Sequence, residues 1–131
     1  MLSKTSTQVI NALIELARLP EGEWRGAKAI ARKIKAPQNY LGKMLQSLAG
    51  YKLVRSQKGL NGGFRLNKDA AKISLYEVVE PIDKVSLWSE CGLGLKKCSD
   101  SEPCAMHHRW KKVRNHYYDF LKQTSIADLA F

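Results

Sequence analysis

The chain has 131 residues, a length that suits one domain, or one domain plus a dimerisation element, and its balance of 44% hydrophobic and 26% charged residues argues against a disordered chain. No apolar run is long enough for a membrane span or a secretory leader, and three cysteines, an odd count, make no disulfide framework, so a soluble, cytoplasmic protein without membrane contact is expected. The net charge of +10 sits wholly in the first half: residues 1–68 carry 13 basic and 3 acidic side chains, residues 69–131 nine of each, and a basic half on a neutral half is the electrostatic footprint of a polyanion binder.

Residues 7–19 place Val9, Ile10, Leu13, Ile14, Leu16 and Ala17 at the i, i+3, i+4, i+7 spacing of an amphipathic helix, with Ser6 or Thr7 as its cap and Pro20-Glu21-Gly22 as its stop. A second, short helix fits residues 26–34, with Ala27, Ile30, Ala31 and Ile34 on one face. Pro37 suits the first turn of a third helix, which buries Leu41, Met44, Leu45 and Leu48 and ends near Gly50. From residue 53 the period changes. Leu53–Gln57 and Gly63–Asn67 have strand character, and Asn61-Gly62 in the stretch between them is a hairpin signal, since both residues can take positive φ. Ser74 opens a short helix over Leu75–Val79 that Pro81 is expected to stop. A Gly- and Pro-punctuated stretch over residues 89–105 holds all three cysteines. A last helix is predicted from Met106 to about Ala130, with Met106, Trp110, Val113, Tyr117, Phe120 and Leu121 as its apolar stripe.

Two short helices joined by a few residues and followed by a basic, glycine-rich hairpin are in the order of a winged helix-turn-helix. The fold class is therefore mainly α with a small β-hairpin wing, plus a long C-terminal dimerisation helix. Residues 1–80 form the DNA-binding unit, and residues 81–131 the cysteine loop and dimerisation helix. In such a unit the N-terminal residues of the second helix of the pair meet base edges in the major groove. Here these are Gln38, Asn39, Tyr40 and Lys43; carboxamides bond adenine bidentately and lysine reaches guanine acceptors. Arg25, Lys28, Arg32 and Lys33 around the first helix of the pair would neutralise phosphates. The hairpin adds Arg55, Lys58, Asn61 and Arg65, and Gly62 and Gly63 make its tip small enough to approach the minor groove. The partner implied is double-stranded operator DNA.

The cysteine stretch reads Cys91-x6-Cys98-x5-Cys104-x2-His107. Three thiols and an imidazole in one short segment form a soft-ligand set of the kind that selects zinc, Cu(I) or an iron–sulfur cluster. His108 is adjacent, so the spacing leaves open which imidazole takes part. An enzyme is not expected: no acid stands at a spacing that would orient a Cys–His nucleophile, and Gly59-x-x-Gly62-Gly63 is a hairpin tip rather than a phosphate-binding loop.

Taken together, the run from Asn39-Tyr40-Leu41 to Gly62-Gly63-Phe64-Arg65-Leu66 and the cysteine triad resemble the IscR/NsrR-type winged-helix transcription factors, the iron–sulfur cluster regulators and nitric-oxide-sensitive repressors. The likeness runs over nearly the whole chain. It implies a homodimer with crossing C-terminal helices, and a cytoplasmic redox sensor acting as a repressor through a 2Fe–2S or 4Fe–4S cluster held by Cys91, Cys98 and Cys104. Some members lack the cysteines and respond to a small-molecule or protein effector. His107 stands where the cluster-regulator branch has its histidine. The first cysteine spacing is one residue longer than the common one, and the start of the first helix offers Ser6, Thr7 and Gln8 where the nitric-oxide-sensitive branch has a ligating carboxylate. Gly42 replaces an acidic residue that reads the operator in the cluster-regulator branch, which leaves more of the reading to Asn39 and Lys43.

Overall fold

The computed structural model describes residues 2–89, 101, 103 and 105–130. Its first helix, α1 (Lys4–Ala17), begins three residues earlier than the apolar spacing predicts. Ser3 is the N-cap, in place of the expected Ser6 or Thr7, and its hydroxyl accepts from the Ser6 N–H at 3.1 Å. Ser6 is fully buried and donates its hydroxyl to Asp83 Oδ2 at 2.8 Å. One face of α1, built from Val9, Ile10, Ala12, Leu13 and Leu16, is buried in the core.

Helices α2 (Ala27–Ile34) and α3 (Gln38–Gly50) follow, joined by a short turn in which Lys35 takes a left-handed conformation at φ 59°. Pro37 sits at the N-cap of α3, one position before the helical turn it was expected to open. Ile30, Ala31, Leu41, Leu45 and Leu48 are buried between these helices and α1.

Strands β1 (Val54–Gln57) and β2 (Gly63–Leu66) pair antiparallel, with Val54 opposite Leu66, Arg55 opposite Arg65 and Gln57 opposite Gly63. This register leaves residues 58–62 in the connection, as the predicted strand bounds imply, but the positive φ that Asn61 and Gly62 could take is found at neither. Positive φ occurs instead at Gly59 (108°) and Gly63 (136°). For Gly63 the reason lies outside the hairpin. Arg25 and Phe64 exchange backbone hydrogen bonds of 3.0 and 2.8 Å, so β2 has a neighbour on its other edge. A Cβ at Gly63 would stand 2.5 Å from the Arg25 carbonyl carbon, and one at Gly62 would run into the Gln57 carbonyl. Each glycine serves close backbone approach.

A 3₁₀ turn over Ala70–Lys72 leads to α4 (Leu75–Asp83). Ser74 and Glu77 form a reciprocal capping box at its start. Pro81 does not stop this helix; it lies inside the last turn, where the lost N–H costs one bond to Glu77, and the helix runs on to Asp83. The end is held from a distance, because Asp83 Oδ2 accepts from both the Ser3 N–H at 3.2 Å and the Ser6 hydroxyl. A second 3₁₀ turn covers Val85–Ser89.

The last predicted helix is broken in two. Helix α5 (His107–Gln123) ends at an extended Thr124, and α6 (Ile126–Leu129) starts from a capping box between Ser125 and Asp128. The break is made by pairing with the entry to α4. The Leu75 N–H donates to the Thr124 carbonyl and the Ile126 N–H to the Ile73 carbonyl, each at 2.9 Å. Ile126 is then fully buried, and α6 returns to pack on α1. Among the described residues the fold is mainly helical with one two-stranded hairpin.

Burial pushes the Asp83 carboxyl up, but the hydrogen bonds from Ser3 and Ser6 outweigh it and hold the group below the usual carboxylate range. A carboxyl depressed in the folded state stabilises fully above its unfolded pKa, about 3.9, and loses that contribution as pH falls through the folded value. Ser6→Ala should therefore lower unfolding free energy by about 1.5 kcal/mol or more at pH 7. Asp83→Asn should show a shallower loss of stability below about pH 4 than wild type. Urea denaturation across pH 2.5–7 measures both.

Candidate nucleic-acid interface

Helix α3 buries Leu41, Leu45 and Leu48, which turns Gln38, Asn39, Lys43 and Gln46 outward. These four rim a shallow hollow of about 470 Å³ whose floor is Ala27, Gly42 and Phe64. The first residue of α2 comes close to α3 here, since a Cβ built on Gly42 would lie 3.6 Å from that of Ala27. Asn39 and Lys43 share this face with Gln46, at i, i+4 and i+7. Gln46 was missed in the sequence, although continuing that spacing one more turn would have found it.

Tyr40 stands apart from this group. It lies about 100° around the helix from Asn39, and its hydroxyl is 3.2 Å from Thr5 Oγ1 on α1. The residue is 47% exposed, and it flanks the rim residues without joining them.

Of the basic residues expected at the interface, Lys28, Arg32 and Lys33 on α2, Lys43 on α3, and Arg55 and Lys58 on the hairpin are exposed. Arg25 is half-buried, its backbone engaged with Phe64. Asn61 is exposed at the hairpin tip, and Gly62 and Gly63 are half-buried beside it. Arg55 and Arg65 face each other across the ladder. The Arg65 guanidinium lies over the Trp24 ring, 4.3 Å from its centroid. Trp24 was not singled out in the sequence, where nothing but its place beside Arg25 marked it. Like charges directly opposite one another on a hairpin destabilise it, so the pair concentrates positive potential on the wing at some cost in stability. Among the described residues the ion pairs are Arg18–Glu15 and Lys68–Glu77, and none of these interface cations takes part in either.

At the other end of the molecule, His107 opens α5 and is only 2% exposed, while His108 beside it is exposed. Their rings meet edge to face with centroids 5.1 Å apart. Cys91, Cys98 and Cys104 lie outside the described residues. Among the described residues, no three His, Cys, Asp or Glu side chains converge on a metal position, and no helix is long and apolar enough to cross a membrane.

Residues 2–131 match the model of the Rrf2 family, described as an iron-dependent transcriptional regulator. The chain belongs to the Rrf2 family. It is a DNA-binding transcriptional regulator and not an enzyme. An Aquifex aeolicus protein described as an HTH-type transcriptional regulator is 36% identical over 128 residues, covering 95% of this chain and 89% of its own length. The regulator YffB of Lactococcus lactis is 34% identical over 135 aligned positions, covering 98% of this chain and 86% of its own. Two solved Rrf2-like folds superpose closely. CymR (YrzC), the global cysteine regulator of B. subtilis, gives a TM-score of 0.81 at 22% identity, covering 99% of this chain and 95% of that one. IscR of T. potens gives 0.75 at 19% identity, covering 98% and 85%. At these identities the likeness is one of fold.

The geometry of α3 separates its expected base-reading residues. Asn39→Ala is expected to weaken binding to a cognate duplex by about 1–3 kcal/mol while leaving random duplex little changed. Tyr40→Phe, which removes only the hydroxyl facing Thr5, should change either affinity by less than about 0.5 kcal/mol. Fluorescence anisotropy titrations at fixed salt measure both.

Proposed function

We propose that this Rrf2 protein is a homodimeric repressor that binds operator DNA through residues 1–80 and senses redox, iron or nitric oxide through an iron–sulfur cluster on residues 81–131. The observation that carries the sensor half is the buried imidazole of His107 at the first turn of α5, three residues beyond Cys104. Three thiolates and one imidazole are a donor set that fits an iron–sulfur cluster. Cys91, Cys98, Cys104 and His107 would hold it, with His107 preferred over the exposed His108. When bound, the cluster supplies a reversible change of charge or ligation at that site.

The chain's own residues then pass a change in the cysteine segment to α5. Trp88, three residues before Cys91, stacks on Tyr117 and Tyr118 of α5 with centroids 5.0 and 6.1 Å apart. Trp110 lies 6.5 Å from Trp88, and the Tyr118 hydroxyl donates to the Val85 carbonyl. The stem of the cysteine segment is therefore packed on the same helix that His107 begins. Tilting α5 in a dimer would change the separation of two helix-turn-helix units that must reach half-sites about one helical turn apart.

The dimer reading draws on what α5 leaves uncovered. The expected single stripe divides in two. Leu121 is buried and Trp110 packs on Trp88 within its own chain, but Val113 and Phe120 remain 55% and 46% exposed. With Tyr117 between them they line an apolar hollow. The Tyr117 hydroxyl and Trp110 Nε1 are buried without a hydrogen-bond partner among the described residues. A second α5 laid along this face would cover the apolar surface.

Phe120→Asp should convert a dimer to a monomer at micromolar concentration in sedimentation velocity, with little change in the far-UV spectrum. Wild type already monomeric at that concentration would remove the dimer from this reading. For the sensor, the measurement is anaerobic reconstitution with iron and sulfide counted per chain. Each Cys→Ala variant should lose most of the visible absorbance and of the regulated DNA binding. His107→Ala should hold a more labile cluster, and His108→Ala should match wild type. A colourless wild type carrying one zinc per chain would replace the cluster by zinc.

A further inference from the structure

The hollow between α2 and α3 has a floor and a rim of different chemistry. The floor, Ala27, Gly42 and Phe64, is apolar. The rim carries three carboxamides and one ammonium, from Gln38, Asn39, Gln46 and Lys43, and no carboxylate. In the major groove, carboxamides match adenine and lysine matches guanine. Thymine presents the one methyl group, which seeks an apolar surface. Asn39 to Gln46 is about two helical turns, roughly 10 Å, and this spans about three base pairs at 3.4 Å each. Gly42 is at the centre of that span, flanked by Asn39 and Lys43 on one turn and Gln46 on the next.

We infer that this hollow is a thymine-methyl site. Gly42 and Ala27 receive the methyl group of one thymine in each half-site, and Asn39 and Gln46 read adenines beside it. The inference rests on the DNA-binding reading above and narrows it to a sequence class: half-sites with A·T pairs under the N-terminal half of α3. The absence of a side chain at Gly42 is what creates the site. A Cβ there would meet Ala27 at an ordinary contact distance, so it would fit without strain and fill the floor.

The test uses the full-length protein and duplexes selected from a randomised pool. The best duplex is then resynthesised with deoxyuridine in place of each thymine in turn, which removes the methyl and nothing else. At one thymine per half-site the loss should be about fourfold, the worth of one buried methyl. Replacing both symmetric thymines should cost about 15-fold. Gly42→Ala should bind the thymine and uracil duplexes equally. Its unfolding midpoint should be at or above that of wild type, because alanine favours the helix, and this shows that lost discrimination is not lost folding. Uracil tolerated at every position by wild type would overturn the inference. So would half-sites made of G·C pairs under α3, or Gly42→Ala discriminating as wild type does. Failure of the pool to enrich any sequence would instead remove α3 as the reading helix, and the thymine site with it.

Discussion

Burial of helix α1 is the constraint on which the other elements depend. Its apolar face is covered from two directions. The helix-turn-helix pair and the hairpin pack on one side, and α4 and α6 pack on the other. A helix carrying five fully or nearly fully buried apolar residues cannot lose either cover without exposing the face to water, at roughly 25 cal/mol per Å² of apolar area. The DNA-facing half and the half that carries α5 are thereby built on one core. The Ser3–Ser6–Asp83 cluster fixes where along its axis α1 meets α4.

This shared core bears on how a regulator of this size could work. Elements packed around one helix move together more readily than they move apart, because interiors at crystal-like density transmit displacements. The aromatic stack of Trp88 on Tyr117 and Tyr118 joins the residues just before the cysteine segment to α5. α5 in turn packs on α4, and α4 on α1. Trp88 thus has a contiguous packed route through α5 and α4 to the helix that supports the helix-turn-helix.

Charge and packing divide the work at the interface. The cations on α2 and the hairpin stand free of carboxylates among the described residues, and this supports a sequence-blind attraction to phosphate. On the reading proposed above, discrimination is left to a small patch on α3, where an apolar floor lies inside a rim of carboxamides and one ammonium. Arg65 combines the two roles differently: stacking on Trp24 gives a long, mobile cation a fixed direction on the wing.

Much of this was legible in the chain itself. The apolar periods located the three N-terminal helices to within a few residues. Charge confined to residues 1–68 pointed to a polyanion, and the order of helix pair and glycine-rich hairpin pointed to a winged helix-turn-helix. These are local properties, set by side chains three or four positions apart or by composition over a stretch, so they survive without knowledge of the fold. What the sequence could not supply came from contacts across long separations. Ser6 looked like a cap and became a buried donor to a carboxylate 77 residues away. Pro81 looked like a stop, and α4 ran through it because Asp83 was held at the far end. The last helix broke at Thr124 because its backbone paired with Ile73 and Leu75. Of the wing glycines, Gly63 was required by Arg25 on a neighbouring segment and Gly62 by the Gln57 carbonyl across the connection. The exposed face of α3 was predictable in outline from its buried leucines. Only the approach of Ala27 to Gly42 made that face a hollow, because two segments fifteen residues apart in the chain had to come so close that a Cβ on Gly42 would touch Ala27.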